Sequence, residues 1–393
     1  MIETSEYAAI VAGAGIWGCT VARTLADSGL RVLVLERRDA PGGNCRCERD
    51  EQSGAEVHLY GSHIFHTSDS KVWAFVNRFT AFNGYQHKVL ANHGGRTYFL
   101  PLGLALVNAF YNLELSPAEL PAFIGKEIAE SGVPGEPRNF EEQAVSFVGR
   151  RIYEAFIRDY TAKQWGRDPK TLDASIIRRL PVRANYDVNY FNDTLQGIPR
   201  WGYNALFSEM LSHPLVTLRC GTDWLAERDS LPAHLPVFYS GPIDELLGFR
   251  FGPLPWRTLR FERETLPVPD FQGTSVVNYV DADVPFTRIH EFKHFHPEDS
   301  AAMARPATSI CREYPAQWKP GDEPYYPVND AASAALCAKY REAAAREFPL
   351  VTVGGRLGEY KYYDMDKSVA SALETAGKFA AVLKAGARKR ADA

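Results

Sequence analysis

Hydrophobic and polar positions near the N-terminus follow two periodicities in turn. An apolar run at residues 7–11 leads into a glycine-rich turn, a stretch with helical spacing at residues 17–28, and a second apolar run at residues 31–35. Two short apolar runs on either side of an amphipathic stretch predict a strand, a helix and a second strand. The chain therefore opens with a predicted βαβ unit.

The pattern changes twice further along the chain. From about residue 71 to residue 178, apolar positions recur at helical spacing between proline-bearing breaks, which predicts an inserted helical unit. Between about residues 186 and 328, alternating and β-branched runs predict strands. These runs cover residues 237–241, 257–266, 274–292 and 308–315, and we expect them to form an antiparallel sheet.

The last part of the chain returns to α/β form. Residues 330–348 have a helical pattern, residues 351–357 resemble a strand running into a glycine turn, and residues 365–383 predict a final helix with Asp366 as its N-cap. A C-terminal α/β piece can complete the N-terminal βαβ unit. The sequence therefore predicts one discontinuous nucleotide-binding domain into which the middle of the chain is inserted.

Composition narrows the class of protein. The chain has 393 residues, 45% of them hydrophobic, which is enough for two or three packed units. A formal charge of −4 argues against a nucleic-acid partner. No stretch approaches the roughly 18 apolar residues of a membrane span, and residues 1–15 lack a basic segment before an apolar one, so we expect a cytoplasmic protein. Six cysteines without paired spacing are expected to be free thiols.

The glycine-rich turn carries a nucleotide-binding signature. Gly13, Gly15 and Gly18 form G-x-G-x-x-G between the first strand and the first helix, and Glu36 follows 23 residues after Gly13. Such glycines allow a tight turn, close approach to a pyrophosphate and close helix packing, while the acid accepts from ribose hydroxyls. The alternative is an ordinary glycine-rich turn beside a surface glutamate.

Two further segments favour FAD over NAD as the dinucleotide. Residues 38–44, R-D-A-P-G-G-N, resemble the R-x-x-x-G-G segment that lies near the pyrophosphate in many FAD enzymes. The late turn at residues 354–358 fits a second flavin contact. We predict an α/β fold: a Rossmann-like FAD-binding domain (residues 1–85, 204–250 and 330–393), a helical domain with the start of a mobile substrate loop (86–178), and an antiparallel sheet domain (179–203 and 251–329).

Residues 160–166, Y-T-A-K-Q-W-G, closely resemble a signature of bacterial UDP-galactopyranose mutases. Further segments that resemble this family occur along the whole chain. They are G-S-H-I-F-H-T at residues 61–67, residues 176–203, S-G-P-I-D at residues 240–244, residues 276–295, Y-Y-P-V-N-D at residues 325–330 and residues 355–366. The resemblance implies an isomerase that interconverts UDP-galactopyranose and UDP-galactofuranose. It implies FAD that is active when reduced, with flavin N5 attacking the anomeric carbon to form a flavin–galactose adduct, and a homodimer.

The resemblance also implies roles for individual residues. Arg179, on a loop of about residues 171–183 that closes over the substrate, and Arg288 are implied to stabilise the diphosphate, and His63 to lie near the flavin and sugar. The substrate-binding residues that it implies are Phe156, Tyr160, Trp165, Tyr190, Asn278, Tyr326, Tyr362 and Asp364, with Tyr325 an alternative to Tyr326. Motif and resemblance together assign the cofactor contacts to Gly13, Gly15, Ile16, Trp17, Gly18, Glu36, Arg37, Gly43, Asn44, His63, Gly241, Arg356, Asp364 and Met365.

Other interpretations of these residues stay open. His63 and His66 have a spacing that metal ligands can use, but no third ligand lies near them in sequence, so no metal site is predicted. Either histidine can instead be structural, which we favour for His66. As bare sequence, the aromatic pair Phe156 and Tyr160 is typical of a core, and Arg179 is typical of a solvated charge.

Two other functions share the predicted nucleotide fold. The first is a conventional FAD oxidoreductase such as an amine oxidase, in which the arginine and tyrosine set for UDP would have no purpose. The second is a non-enzymatic binding protein comparable to GDP-dissociation inhibitors, which would be colourless when purified. No Ser/His/Asp or Cys/His signature of nucleophilic catalysis is recognisable in the sequence.

Overall fold

The computed structural model describes residues 6–133, 135–177, 180–328 and 330–391. Arg179 therefore lies outside the described residues. The strands, in chain order, are β1 (Ala9–Ala12), β2 (Val32–Glu36), β3 (Cys47–Arg49), β4 (Glu56–His58), β5 (Phe65–Thr67), β6 (Val89–His93), β7 (Arg96–Leu100), β8 (Leu195–Gly197), β9 (Val216–Cys220), β10 (Val237–Tyr239), β11 (Trp256–Leu266), β12 (Val276–Tyr279), β13 (Arg288–Glu291), β14 (Thr308–Gln317), β15 (Tyr326–Pro327) and β16 (Val351–Val353). The α-helices are α1 (Ile16–Asp27), α2 (Ser70–Val76), α3 (Leu104–Tyr111), α4 (Leu120–Glu130), α5 (Phe140–Val148), α6 (Arg150–Ile152), α7 (Asp159–Trp165), α8 (Gly202–Leu211), α9 (Trp224–Glu227), α10 (Ile243–Leu246), α11 (Ser300–Met303), α12 (Ala331–Glu347), α13 (Gly355–Gly358) and α14 (Met365–Ala391).

A five-stranded parallel sheet has the order β16-β10-β1-β2-β9. Its central strands β1 and β2 are buried along their whole length, as expected for parallel strands covered on both faces. Helices α1, α8 and α14 contribute to the core on one face, and α12 to the core on the other. The predicted βαβ opening and its completion by the C-terminal part of the chain are thus confirmed.

A seven-stranded sheet has the order β15-β11-β14-β13-β12-β6-β7. Its neighbouring strands are antiparallel except for β12 and β6, which are parallel. The hairpin β6–β7 corrects the sequence analysis, which placed residues 86–178 in a helical unit. Strand β6 pairs with β12, nearly 190 residues further along, and β7 forms the sheet edge, because Ala91 and Tyr98 bury against the helical core.

The helical layer consists of α3 to α7 packed on one end of this sheet. Residues 150–165 form one continuous helical stretch, since α6 passes into a π-helical segment, Tyr153–Arg158, and then into α7. π-Helical turns widen a helix locally and are frequent near functional sites. This stretch carries Phe156, Tyr160 and Trp165 past the large sheet.

Two smaller expectations also differ from the structure. Strand β10, expected in the antiparallel sheet, pairs in parallel with β1 and β16, because its residues are buried on both faces. Helix α14 starts at Met365, so Asp366 lies inside its first turn rather than at its N-cap. Among the described residues, no helix has both the length and the apolar character needed to cross a membrane.

Candidate active site

A cavity of about 590 Å³ opens between the parallel sheet and the seven-stranded sheet. Its wall begins at the glycine turn after β1. Gly13 has a φ of +101°, and a Cβ atom there would lie 2.2 Å from Ser240 Oγ. A Cβ atom on Gly18 would lie 1.9 Å from the Gly13 carbonyl oxygen. The turn therefore needs glycine at both positions, and α1 begins at the cavity wall, where its free N–H groups can bind an anion.

Glu36 ends β2 and holds this turn in place. Its carboxylate accepts hydrogen bonds from the backbone N–H of Ala14 at 2.6 Å and of Arg38 at 2.9 Å. The side chain is 5% exposed and lines the cavity. Each carboxylate oxygen has a further lone pair. Glu36 can therefore hold the turn and still accept a hydrogen bond from a ribose hydroxyl.

Arg38 provides a cationic wall opposite the glycines. Its Nη2 donates to Asn44 Oδ1 at 3.0 Å and Glu323 Oε2 at 2.8 Å, and its guanidinium lies over the Tyr60 ring. Its Nη1 is buried and has no hydrogen-bond partner among the described residues. A buried guanidinium donor left open at a cavity wall fits a phosphate group. The neighbouring Arg37 also lines the cavity and pairs with a glutamate.

The glycine turn at residues 354–355 packs against the helix that follows the first glycine turn. A Cβ atom on Gly354 would lie 2.1 Å from the indole of Trp17, so the turn before α13 packs directly on α1. Arg356, Met365 and Gly241 line the cavity on this side. These parts form a cradle that fits a dinucleotide cofactor. They are the glycine turn after β1, the Glu36 carboxylate, the unpaired Nη1 donor of Arg38 and the glycine turn before α13. The predicted cofactor contacts that line this one cavity are Gly13, Gly15, Ile16, Trp17, Glu36, Arg37, Gly43, Asn44, His63, Gly241, Arg356, Asp364 and Met365.

His63 is held by backbone and by a second histidine. Its Nδ1 lies 2.8 Å from the Gly61 carbonyl oxygen, and its backbone N–H donates to His58 Nδ1 at 3.0 Å. Burial lowers the pKa of His63 to about 4. The imidazole is therefore neutral at neutral pH and keeps Nε2 for a cavity ligand.

Arg288 forms a cationic corner at the far end of the cavity. Its Nη2 donates to Tyr160 Oη at 2.5 Å, and its Nε lies 3.3 Å from Glu313 Oε1. Burial opposes the charge of Arg288, yet the Glu313 carboxylate and nearby tyrosines raise its pKa well above the ordinary value. On the adjacent strand, Asn278 Oδ1 is buried without a hydrogen-bond partner in the described part of the chain. This corner suits a polyanion bearing a polar group.

Tyrosines line the side between cradle and corner. Tyr326 lies with its ring 5.7 Å from that of Tyr362, whose side chain is half-exposed. Tyr190 lines the cavity beside His87. Burial first, and then the Glu313 charge, raise the pKa of Tyr326, so its hydroxyl stays a donor. Tyr325 also lines the cavity, but it is 5% exposed and packs against Phe261.

Asp364 and His66 border the cavity at the start of α14. His66 Nδ1 lies 2.7 Å from Asp193 Oδ2, its ring stacks on Phe191, and its Nε2 lies 3.9 Å from Asp364 Oδ2. Burial raises the pKa of Asp364. These contacts tie His66 into the wall of the cavity.

Among the predicted site residues that the structure describes, three are not brought to the cavity wall. Gly18 lies in the first turn of α1, packed against the Gly13 carbonyl. Phe156 is 6% exposed and packs among Tyr98, Phe110 and His93 in the helical core, and Trp165 packs against the same core. Tyr160 is the member of this helical stretch that lines the cavity together with Gln164.

The structure adds site residues that sequence reasoning missed. Ser62, His290 and Glu313 line the cavity, together with Arg38 from the segment predicted to lie near the pyrophosphate. A signal for His290 was present, because strand side chains alternate and His290 lies two residues after Arg288 on β13. Glu313 is the cross-strand partner of Arg288 on β14, a pairing that only the sheet register reveals.

Two groups of side chains in the described residues have spacings that a metal could use. They are Cys47 with Glu56 and His58, and Asp270 with Glu291 and His294. Neither group contains His63 or His66. Glu291 already accepts hydrogen bonds from two backbone N–H groups and from Thr308.

Comparison with known proteins agrees with this geometry. A family profile described as UDP-galactopyranose mutase matches residues 155–362, and one described as NAD(P)-binding Rossmann-like domain matches residues 11–79. A probable UDP-galactopyranose mutase of Klebsiella pneumoniae is 42% identical over 94% of both chains. A dTDP-fucopyranose mutase of Escherichia coli is 40% identical over 93% of this chain and 97% of that one.

A solved structure shows the same fold. The crystal structure of a reduced UDP-galactopyranose mutase superposes with a TM-score of 0.72, covering 95% of each chain at 16% sequence identity. The profile match spans more than half of the chain, and the relatives align over nearly all of it. The chain therefore belongs to the UDP-galactopyranose mutase family of flavin-dependent isomerases.

Proposed function

We propose that this chain interconverts UDP-galactopyranose and UDP-galactofuranose, with FAD in its reduced form as cofactor. The observation that carries the proposal is that one cavity joins the dinucleotide cradle around Gly13 and Glu36 to the cationic corner at Arg288. A cofactor in the cradle and a nucleotide sugar whose diphosphate reaches the corner would meet inside it. Family membership supports the same reaction.

When bound and reduced, the flavin supplies a nucleophilic nitrogen, N5, for the anomeric carbon of the sugar. The side chains of this protein act on the leaving diphosphate. Arg288 is fixed by Tyr160 and Glu313, so its guanidinium is in place before charge develops there. Arg179 is proposed as the second cation from the family resemblance alone.

Polar and aromatic side chains orient the substrate in this proposal. Tyr190, Tyr326 and Tyr362 contribute hydroxyl groups toward the phosphates, Asn278 offers its unpaired amide oxygen, and Asp364 borders the sugar side. Phe156 and Tyr160 are proposed as the uridine side, and Trp165 as part of the substrate cleft, from the family resemblance. Of the three, Tyr160 lines the cavity, while Phe156 and Trp165 pack in the helical core behind it. The neutral His63 can hydrogen-bond to the flavin or to the sugar.

A second candidate substrate is dTDP-fucopyranose, because a mutase named for it is 40% identical over almost the whole chain. The ring conversion is the same. The substrates differ in the sugar's 6-hydroxyl, the methyl group of thymine and the ribose 2′-hydroxyl. The two proposals therefore share a mechanism and differ in the groups that the cavity must accept.

The test is an anaerobic assay of chemically reduced and oxidised protein with UDP-galactofuranose and, separately, dTDP-fucofuranose. Chromatography separates the pyranose and furanose nucleotides. We expect conversion of the UDP-sugar in the reduced sample and none in the oxidised one. Arg288→Ala serves as the impaired control, and Arg260→Ala, an exposed arginine of β11, as its matched surface control.

Each other outcome contradicts part of the proposal. Equal conversion by oxidised protein would remove the requirement for reduced flavin. Conversion of the dTDP-sugar alone would replace the substrate. No conversion of either, with flavin bound, would favour the oxidoreductase interpretation.

A further inference from the structure

A buried hydrogen-bonded chain of three side chains ends at the cavity. Ser62 Oγ lies 2.5 Å from His290 Nδ1, and His290 Nε2 lies 3.2 Å from Glu313 Oε2. Ser62 is half-buried, whereas His290 is 1% and Glu313 2% exposed. All three line the cavity. We call these residues the Ser62–His290–Glu313 relay.

The neighbouring side chains determine which atoms of this relay carry protons. Glu313 lies between Arg288 and His290, and although burial opposes its charge, the arginine and the imidazole lower its pKa. A carboxylate can only accept, so His290 carries its proton on Nε2 and Nδ1 accepts from the Ser62 hydroxyl. Burial lowers the pKa of His290 below its ordinary value, which keeps the ring neutral. A serine hydroxyl at the cavity wall is thus backed by a neutral base and an anion, an arrangement able to move protons.

The relay lies beside the proposed diphosphate site. Glu313 uses one carboxylate oxygen toward Arg288 and the other toward His290. The Glu313 carboxylate therefore lies between the Arg288 guanidinium and the His290 imidazole. A sugar whose phosphate is held at Arg288 has its ring next to that phosphate, and Ser62 lines the same cavity.

Conversion of a pyranose into a furanose requires a proton to move. The C1–O5 bond breaks with its electron pair remaining on O5, which gains a proton. The C1–O4 bond forms with an electron pair of O4, which loses a proton. The sugar is neither oxidised nor reduced, so the net change is one proton moved from O4 to O5. A site for this reaction needs a group that both accepts and returns a proton.

We propose that Ser62 is a catalytic residue that exchanges protons with O4 and O5 of the sugar, and that His290 and Glu313 are its positioning residues. The inference rests on the proposed function. His290 Nδ1 first accepts, through Ser62 Oγ, the proton that the reduced cofactor releases on bonding to C1, and this proton passes on through Ser62 to O5 as the C1–O5 bond breaks. As the C1–O4 bond then forms, the O4 proton moves through Ser62 to His290 Nδ1, and it returns to the cofactor when C1 leaves it. The relay ends in its starting state.

The test separates ring conversion from cleavage of the sugar–phosphate bond. UDP-galactopyranose labelled with ¹⁸O between C1 and the β-phosphorus loses the label from that position whenever the bond breaks and re-forms, whether or not the ring changes. The holoenzyme is assayed for both label exchange and conversion to the furanose. Ser62→Ala removes the hydroxyl, and His290→Asn leaves Ser62 a hydrogen-bonding partner that cannot carry a proton.

We expect Ser62→Ala and His290→Asn to lower conversion on the order of 10²-fold, a usual contribution of acid–base catalysis, while label exchange stays within a few-fold of the unmodified enzyme. Ser62→Thr, which keeps a hydroxyl, is expected to recover most of the conversion. Ser53→Ala is the matched control, since Ser53 is a buried, hydrogen-bonded serine away from the cavity. Flavin content verifies folding, and if Ser62→Ala fails to fold, His290→Asn decides.

Conversion within about threefold of the unmodified enzyme in His290→Asn would overturn the relay, and so would an equal fall of exchange and conversion, which indicates a structural role. An unmodified enzyme that converts neither nucleotide sugar would instead contradict the proposed function. The two failures are therefore distinguishable.

Discussion

At the scale of single residues, Glu36 joins two parts of the cofactor cradle. It accepts one hydrogen bond from the glycine turn at Ala14 and one from Arg38, the arginine with an open donor at the cavity wall. Motif reasoning assigns Glu36 to a ribose. The structure adds that the same carboxylate shapes the backbone on which the cofactor would lie.

We therefore expect Glu36→Ala to weaken both the cofactor site and the fold. Two backbone N–H groups would lose their acceptor, at a cost of about 1–3 kcal/mol each for a buried donor. Flavin absorbance per protein and the thermal unfolding midpoint of the purified variant measure the two effects. Glu51→Ala, at an exposed glutamate, is the control. Unchanged flavin content in Glu36→Ala would place the ribose contact elsewhere.

At the scale of elements, one lysine joins the helical layer to the large sheet. Lys163 on α7 donates through Nζ to the carbonyl oxygens of Tyr279 at 2.7 Å, Asp281 at 2.8 Å, Val284 at 2.9 Å and Phe286 at 3.1 Å. Tyr279 ends β12, and the other three carbonyls belong to the connection between β12 and β13. The same two strands carry Asn278 and Arg288. Lys163 thus holds the loop that joins two proposed substrate contacts.

Lys163→Met should leave those carbonyls without their shared donor. We expect the free energy of unfolding to fall by about 3 kcal/mol, as for loss of a hydrogen-bonded charged group, and UDP to bind at least tenfold more weakly. Flavin content should change little, since the cradle lies on the parallel sheet. Calorimetric titration with UDP and thermal unfolding are the measurements, with exposed Lys170→Met as control. Undiminished UDP affinity would show that the loop holds its position without Lys163.

At the scale of the whole molecule, the parallel sheet draws its strands from distant parts of the chain. Strands β1 and β2 come from the first forty residues, β9 and β10 from the middle, and β16 from beyond residue 350. The large sheet and the helical layer are formed by the chain between them. The division into three domains at the stated boundaries remains a prediction.

The homodimer and the cytoplasmic location are also predictions from resemblance and composition. Sedimentation velocity over a range of concentrations tests the first. We expect a species of twice the mass of the 393-residue chain to persist on dilution. A single species of monomer mass at every concentration would contradict the dimer.

The sequence alone determined the parts of this protein that depend on near neighbours in the chain. The glycine turn, α1 and Glu36 fall within 24 residues, so strand and helix periodicity together with glycine spacing identified the cofactor end of the site. Arg288, Tyr160 and Asn278 were named through family-specific segments, and the structure brings all three to one wall.

Only the tertiary structure decided which distant residues meet. Ser62 and His290 are 228 residues apart, and Glu313 reaches both His290 and Arg288 through the register of β13 and β14. Strands β6 and β7 pair with each other across the turn at Gly94 and Gly95, but only the tertiary structure adds them to the large sheet, through β12. Phe156 was drawn into the helical core by aromatic packing rather than to the cavity. Local patterns specify helices, strands and turns, whereas the burial of side chains between sheets selects the partners across the chain.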